Sequence, residues 1–93
     1  MEYLKVRWIH DSLSDPVLLM SELDSDRYEV RKVEVYADGR MGFASADRES
    51  SGTILGEKPI PPVTEIASDP QFIVEEFDRD SFEHAWHSAT ASS

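Results

Sequence analysis

The residues whose types and spacing could do chemistry are three histidines, one glycine-bearing loop and one acid-rich run. His10 stands beside Asp11, and an imidazole next to a carboxylate is the raw material of a general base. Adjacent residues on a strand point to opposite faces, so the two do not form a dyad by default. No nucleophile or oxyanion site accompanies them. The expected role for His10 is to close a strand and hydrogen-bond the turn that follows. His84 and His87 fall three apart on a helix-forming stretch, with Glu83 one turn before His87. That is half of a metal site, since a zincin helix spaces its histidines at i, i+4 and takes a third ligand from elsewhere. Two solvent-facing side chains are expected instead, His87 being favoured near the helix C-terminus by the macrodipole. The stretch Gly52 to Pro59 echoes a phosphate loop. It is one residue short, Glu57 interrupts its Gly-Lys pair, and Pro59 stands where a hydroxyl would hold magnesium, so it is not a phosphate site.

The acid-rich run is Glu75, Glu76, Asp78 and Asp80 around Phe77, with Arg79 its only base. Such charges keep an exposed edge strand from pairing with other chains. They also raise the rate and specificity of association with a basic partner. These four are the candidate partner-binding residues. A glycosidase pair would need a cleft and one raised pKa, for which a small β-meander has little room. Trp8 and Trp86 fall on the apolar faces of their elements and are expected in the core. Tyr3, Tyr28 and Tyr36 occupy second strand faces, where they either pack or meet a partner.

The elements that must position these residues follow from periodicity. Tyr3–His10 alternates with Leu4, Val6, Trp8 and His10 on one face, a strand signal. The polar stretch from Asp11 to Pro16 ends it. Val17–Leu23 is apolar on both faces and is predicted to lie centrally or under a helix. Asp24-Ser25-Asp26 turns the chain into Arg27–Tyr36, with Val33 and Val35 on one face and mixed charges suited to cross-strand pairing. Asp38-Gly39 then marks a tight hairpin into Arg40–Ala46.

From Asp47 to Pro62 serines, glycines and three prolines make a long connection, with Thr53-Ile54-Leu55 a short strand or an anchor within it. A loop of that length in a small domain is either functional or an ordered linker. Thr64 to Ser68 predicts one helical turn stopped before Pro70, and Phe72–Asp78 a last strand. Asp80 or Ser81 is expected to cap a helix whose Phe82, Ala85, Trp86 and Ala89 form an apolar stripe. The tail from Thr90 to Ser93 is expected to fray. The fold class is therefore α+β: one domain over residues 1–93, divided into a meander (1–46), an irregular connection (47–62) and a last part (63–93). The sheet has four or five antiparallel strands, with one face under the C-terminal helix and part of the connection.

Charge narrows function further. The chain carries −10 from nine basic and nineteen acidic residues. Residues 1–46 hold nine acids against six bases (−3), residues 47–93 ten against three (−7). An acidic field repels phosphate backbones, which argues against nucleic acid and for a basic protein partner. Solubility alone also accounts for it. The lack of cysteine excludes a disulfide framework, a thiolate nucleophile and a Cys-ligated zinc. No stretch approaches the roughly 18 apolar residues of a membrane helix, and no signal peptide is visible. A soluble cytoplasmic protein without cofactor or metal is expected, with no membrane partner.

Several segments together resemble a family of small stand-alone bacterial proteins classed as a domain of unknown function. They are Trp8-Ile9-His10-Asp11, Pro16-Val17-Leu18-Leu19, Glu22, Arg27-Tyr28-Glu29-Val30-Arg31-Lys32-Val33-Glu34, Asp38-Gly39-Arg40 and Phe82-Glu83 followed by Trp86. The resemblance implies a bacterial cytoplasmic domain and assigns no activity. Small acidic bacterial domains often neutralise toxins, which is an analogy. The expectation is a non-enzymatic protein-binding module, immunity-like or regulatory. The alternative is a small-molecule-binding or enzymatic domain with a pocket between the sheet and the 47–62 connection. A deep pocket with His10, a carboxylate and a tyrosine would favour it. A third possibility is a homodimer through an edge strand.

Overall fold

Alternation at the N-terminus builds a strand, β1 (Glu2–Trp8), and its two sides are both paired. The computed structural model describes residues 1–50 and 52–91; Ser51 of the connection and Ser92 and Ser93 of the tail lie outside the described residues. After β1 come β2 (Leu18–Leu23), β3 (Glu29–Val35), β4 (Met41–Ser45), α1 (Val63–Ala67), β5 (Phe72–Glu75) and α2 (Arg79–Ala91). The strands form one antiparallel sheet in the order β4-β3-β2-β1-β5. The first four are the predicted meander, and β5 returns to lie beside β1.

Both meander hairpins at β3 are three-residue turns that end in a left-handed residue. Between β3 and β4, Tyr36 N–H donates to Arg40 O and Gly39 N–H to Tyr36 O, both at 2.9 Å. Gly39 takes φ +91° and Asp38 stays at negative φ, so only the glycine uses its freedom. Between β2 and β3, Asp24 N–H donates to Tyr28 O (3.0 Å) and Arg27 N–H to Asp24 O (2.9 Å). Here the left-handed position falls to Arg27, φ 67°, the only non-glycine with positive φ among the described residues. A side chain in that conformation costs about 1 kcal/mol, so something must hold it. Just beyond, Val30 is an extra residue: Glu22 pairs with Arg31 but Leu23 with Glu29. This bulge turns Glu29 onto the same face as Lys32 and Glu34.

β2 is apolar on both faces because the sheet has two covers. On one face Met20, Val33 and Phe43 meet Phe82, Ala85 and Ala89 of α2, with Trp86 edge-on to Phe43 at 5.6 Å. The predicted stripe is thus the buried face of the helix. On the other face Leu4, Val6 and Leu23 pack with Leu19, Phe72 and Val74 under Ile60 and Ile66. Helix and connection cover opposite faces, where the sequence suggested one shared face.

β5 stops at Glu75, three residues short of its predicted end, because Asp78 caps α2. Its Oδ1 accepts from Ser81 N–H (2.8 Å) and its carbonyl from Phe82 N–H (3.0 Å). Asp78 takes the role expected of Asp80 or Ser81, since only its side chain stands ahead of the free amides. The helix continues through Ala91, with Thr90 Oγ1 donating to Trp86 O at 2.8 Å. Thr90 and Ala91 are therefore helical rather than frayed. No helix among the described residues is long and apolar enough to cross a membrane.

Candidate functional site

His10 closes its strand and binds the turn that follows. Ser12 N–H donates to His10 Nδ1 (3.0 Å), so the other nitrogen, Nε2, carries the proton and donates to Pro16 O at 2.7 Å. Both ring nitrogens are spent on the turn, as the sequence suggested. His84 and His87 are exposed on the outer side of α2. Glu83 is drawn away from His87 by Arg31 (2.8 Å). Among the described residues no three His, Asp or Glu side chains gather to hold a metal.

The acid run is partly brought together. Glu75, Glu76 and Asp78 line an open depression of about 540 Å³ with Tyr3 and Phe77, while Asp80 lies beside His84 in a neighbouring one. Glu75 is held by Arg7 (3.1 Å) and Lys5 (3.4 Å), and the Arg7 guanidinium keeps its carboxyl below the usual carboxylate range. Asp78 is lowered chiefly by the Ser81 N–H it caps. Two of the four candidates therefore do structural work. Glu76 and Asp80 are exposed, and no ion pair engages either among the described residues.

The stronger site lies on the opposite face, built by polar residues at the start of the chain and on β3. Past β4 the connection doubles back, Ser50 N–H donating to Phe43 O (2.9 Å) and Ser50 Oγ accepting from Phe43 N–H (2.9 Å). Thr53 is anchored at 1 % exposure above Gly42, where any Cβ would collide with its hydroxyl, and it donates to Glu34 Oε1 at 3.0 Å. Thr53–Leu55 is thus an anchor and not a strand. Lys32 Nζ donates to Ile54 O (3.0 Å), and Glu29 Oε1 accepts from Gly56 N–H (2.6 Å). Arg27 then reaches Ile60 O through Nε (2.9 Å), Pro61 O through Nη2 (2.8 Å) and both Glu2 oxygens through Nη1 (2.7 Å), while its own carbonyl accepts from Ile60 N–H. These bonds are what hold Arg27 in its left-handed conformation.

The connection is thereby a tethered strap, and beneath it runs a cleft of about 690 Å³. Its floor is Leu4, Val6 and Leu19, its roof includes Gly52, Gly56 and Ile60, and Trp8, Tyr36 and Pro16 stand at one end. Charge in it is uneven. Glu29 and Lys32 pair at 3.1 Å and are nearly buried, their side chains 5 % and 15 % exposed. Glu34 receives only the Thr53 hydroxyl; no ion pair engages it among the described residues. Asp15 adds a further carboxylate to the wall. Trp8 packs edge-on to His10 at 4.4 Å, and its Nε1 is buried with no acceptor among the described residues. The cleft occupies the predicted place between sheet and connection, with carboxylates and a tyrosine but without His10 in its wall.

Sequence reasoning missed Arg27, Glu29, Lys32 and Glu34 as a set. Their mixed signs read as an ordinary wet face, and neither the bulge that aligns Glu29 nor the strap that buries them leaves a local pattern.

A family model described as "Domain of unknown function (DUF6881)" matches residues 2–91. No curated protein and no solved structure matches the chain.

Proposed function

We propose that this chain, which belongs to the DUF6881 family of unknown function, is a non-enzymatic protein-binding domain that meets a basic partner with its cleft face. The tethered strap over an acidic cleft carries the reading. Binding by a pre-formed surface loses little to ordering the binder. The α2 face is filled by its own core, and the depressions beside the helix, at Arg31 and at His84, are smaller, about 540 and 500 Å³. The net charge of −10 steers basic proteins toward the domain. Glu76 and Asp80 serve that steering as exposed charges and not as the contact itself. An immunity-like or regulatory role in the bacterial cytoplasm fits such a module.

The test is affinity capture at low salt with the immobilised domain. A basic protein is expected to be retained and to elute as salt rises. Ile54→Asp on the strap and Leu13→Asp beside the cleft wall abolish retention, while Glu76→Lys and Asp80→Lys only slow association. Capture of no basic protein, or capture indifferent to Ile54→Asp and Leu13→Asp, sinks the reading. The cleft itself favours one rival, a small-molecule site. That rival is distinguished by a solute that raises the melting temperature of the isolated domain and leaves protein capture unaffected by Ile54→Asp.

A further inference from the structure

Resting on the cleft as the recognition face, we propose that it receives a cationic side chain, arginine above all, from a loop of the basic partner. The carboxylate that would pair with it is Glu34. The bases on this face are already answered: Lys32 by Glu29 and the Ile54 carbonyl, Arg27 by Glu2 and the strap carbonyls, Arg40 by Asp38 at 2.9 Å. Asp15 in the wall is a second carboxylate without an ion pair among the described residues and adds to the field a cation would meet. Glu34 has one neutral hydroxyl and keeps acceptor capacity for a fork of guanidinium donors.

The surroundings suit a planar cation. Tyr36 lies one strand repeat beyond Glu34 on the same face, and Trp8 shares that end of the cleft. Aromatic faces attract guanidinium groups within about 6 Å. Tyr36 already shows the behaviour, with Arg40 over its ring at 4.7 Å. The Trp8 indole N–H supplies a second, independent sign of an absent partner. It is buried with no acceptor among the described residues, and a main-chain carbonyl of the incoming loop is the acceptor we assign to it. A protein loop fits better than a free solute because two exposed apolar side chains flank the cleft. Leu13 (83 % exposed) adjoins the wall residues Ser14, Asp15 and Pro16, and Ile54 (65 % exposed) lies in the strap between Gly52 and Gly56.

Two-dimensional ¹⁵N NMR of the full chain tests this, with the Trp8 indole signal assigned through Trp86→Phe. The probe is acetyl-Gly-Arg-Gly-amide, and its citrulline analogue is the neutral control. The arginine peptide is expected to shift the Trp8 indole and the Gly52 and Gly56 amides with a Kd of about 1 mM. The citrulline peptide binds at least tenfold more weakly, and Glu34→Gln, which keeps its folded spectrum, loses the same factor. Glu76→Gln changes nothing. No shift up to about 20 mM, equal binding of both peptides, or undiminished binding by Glu34→Gln overturns the assignment. If the titration is silent while Ile54→Asp still abolishes partner capture, the cation site falls and the recognition face stands. If the peptide binds but capture ignores Ile54→Asp, the protein-binding reading falls instead.

Discussion

Arg31→Met is expected to cost this fold heavily, because one guanidinium holds carboxylates on two elements. Arg31 donates to Glu22 from Nε (2.7 Å) and Nη2 (2.9 Å) and to Glu83 from Nη1 (3.1 Å) and Nη2 (2.8 Å). Its guanidinium also lies over Phe82 at 4.9 Å and Trp86 at 5.2 Å. It therefore clamps α2 to the sheet. The Glu22 side chain is 8 % exposed and the Glu83 side chain 37 %, so only Glu22 is left as a buried, uncompensated charge. Stripping one partner from a buried pair costs roughly 3–5 kcal/mol. The cation–π contacts add about 0.5–1 kcal/mol each, which methionine partly returns by packing on the same rings. A net loss of about 3 kcal/mol is expected. At an unfolding entropy of roughly 2.1 cal/mol/K per residue, that lowers the melting temperature by about 15 °C.

Urea unfolding at several pH values separates the clamp from mere volume loss. The Arg31 hydrogen bonds hold the carboxyls of Glu22 and Glu83 below their ordinary 4.5. Folded values depressed in this way give stability that is complete above the ordinary value and lost as pH falls through the folded ones. In Arg31→Met, burial pushes Glu22 upward instead, so acidification relieves that variant. The gap between wild type and Arg31→Met is expected to be widest at neutral pH and to narrow steadily below about pH 4.5. Glu22→Gln should destabilise wild type but stabilise Arg31→Met. A gap that stays constant into acid, or the same cost for Glu22→Gln in both backgrounds, refutes the reasoning.

Three further outcomes follow from particular contacts. Arg27→Ala should cost about 2 kcal/mol, losing the strap's tethers, and Arg27→Gly should recover about 1 kcal/mol of that through the left-handed backbone. Hydrogen exchange at Ile60 and Gly56 should quicken in both variants, and unchanged exchange would refute Arg27 as the anchor. Gly42→Ala should cost about 1–3 kcal/mol against Thr53, and the double variant with Thr53→Ala should cost less than the sum of the singles in urea melts. Asp78→Ala should lower the melting temperature more than Asp80→Ala. The Asp78 carboxyl is held below its ordinary 3.8, so its advantage should vanish as pH falls through the folded value.

What the sequence disclosed was whatever rests on periodicity and turn chemistry. Leu4, Val6, Met20, Val33 and Phe82 announce their burial by spacing alone, and Gly39 announces its turn. Contacts that cross long stretches of chain were not legible. Nothing near Arg31 points to Glu83, fifty-two residues on, and nothing near Glu29 points to Gly56. The cap moved to Asp78 because neighbouring acids are interchangeable in sequence and only the geometry of the free amides chooses among them. The acid run read as a single patch because spacing does not show that Lys5 stands opposite Glu75 across the β1–β5 ladder, with Arg7 reaching it on the diagonal.

The segment Arg27–Glu34, which carries much of the family resemblance, accounts for both covers of the sheet. Arg31 and Val33 face α2, through the clamp and the core respectively. Arg27, Glu29, Lys32 and Glu34 face the strap, each bonded to a different part of it: Ile60 and Pro61, Gly56, Ile54, and Thr53. Such a division needs strand alternation plus the single bulge at Val30; without the extra residue Glu29 would turn toward the helix side. So the resemblance marks a scaffold first, in which one strand fixes two elements that do not touch its neighbours in sequence. Glu34 is the exception within the segment. Its bond to Thr53 secures the strap, yet it alone of the strap-facing charges lacks an opposite charge. The fold neutralises Arg27, Glu29 and Lys32 and leaves Glu34 half-buried without a cation, so the proposed arginine contact rests on that carboxylate rather than on the exposed acids of the last strand.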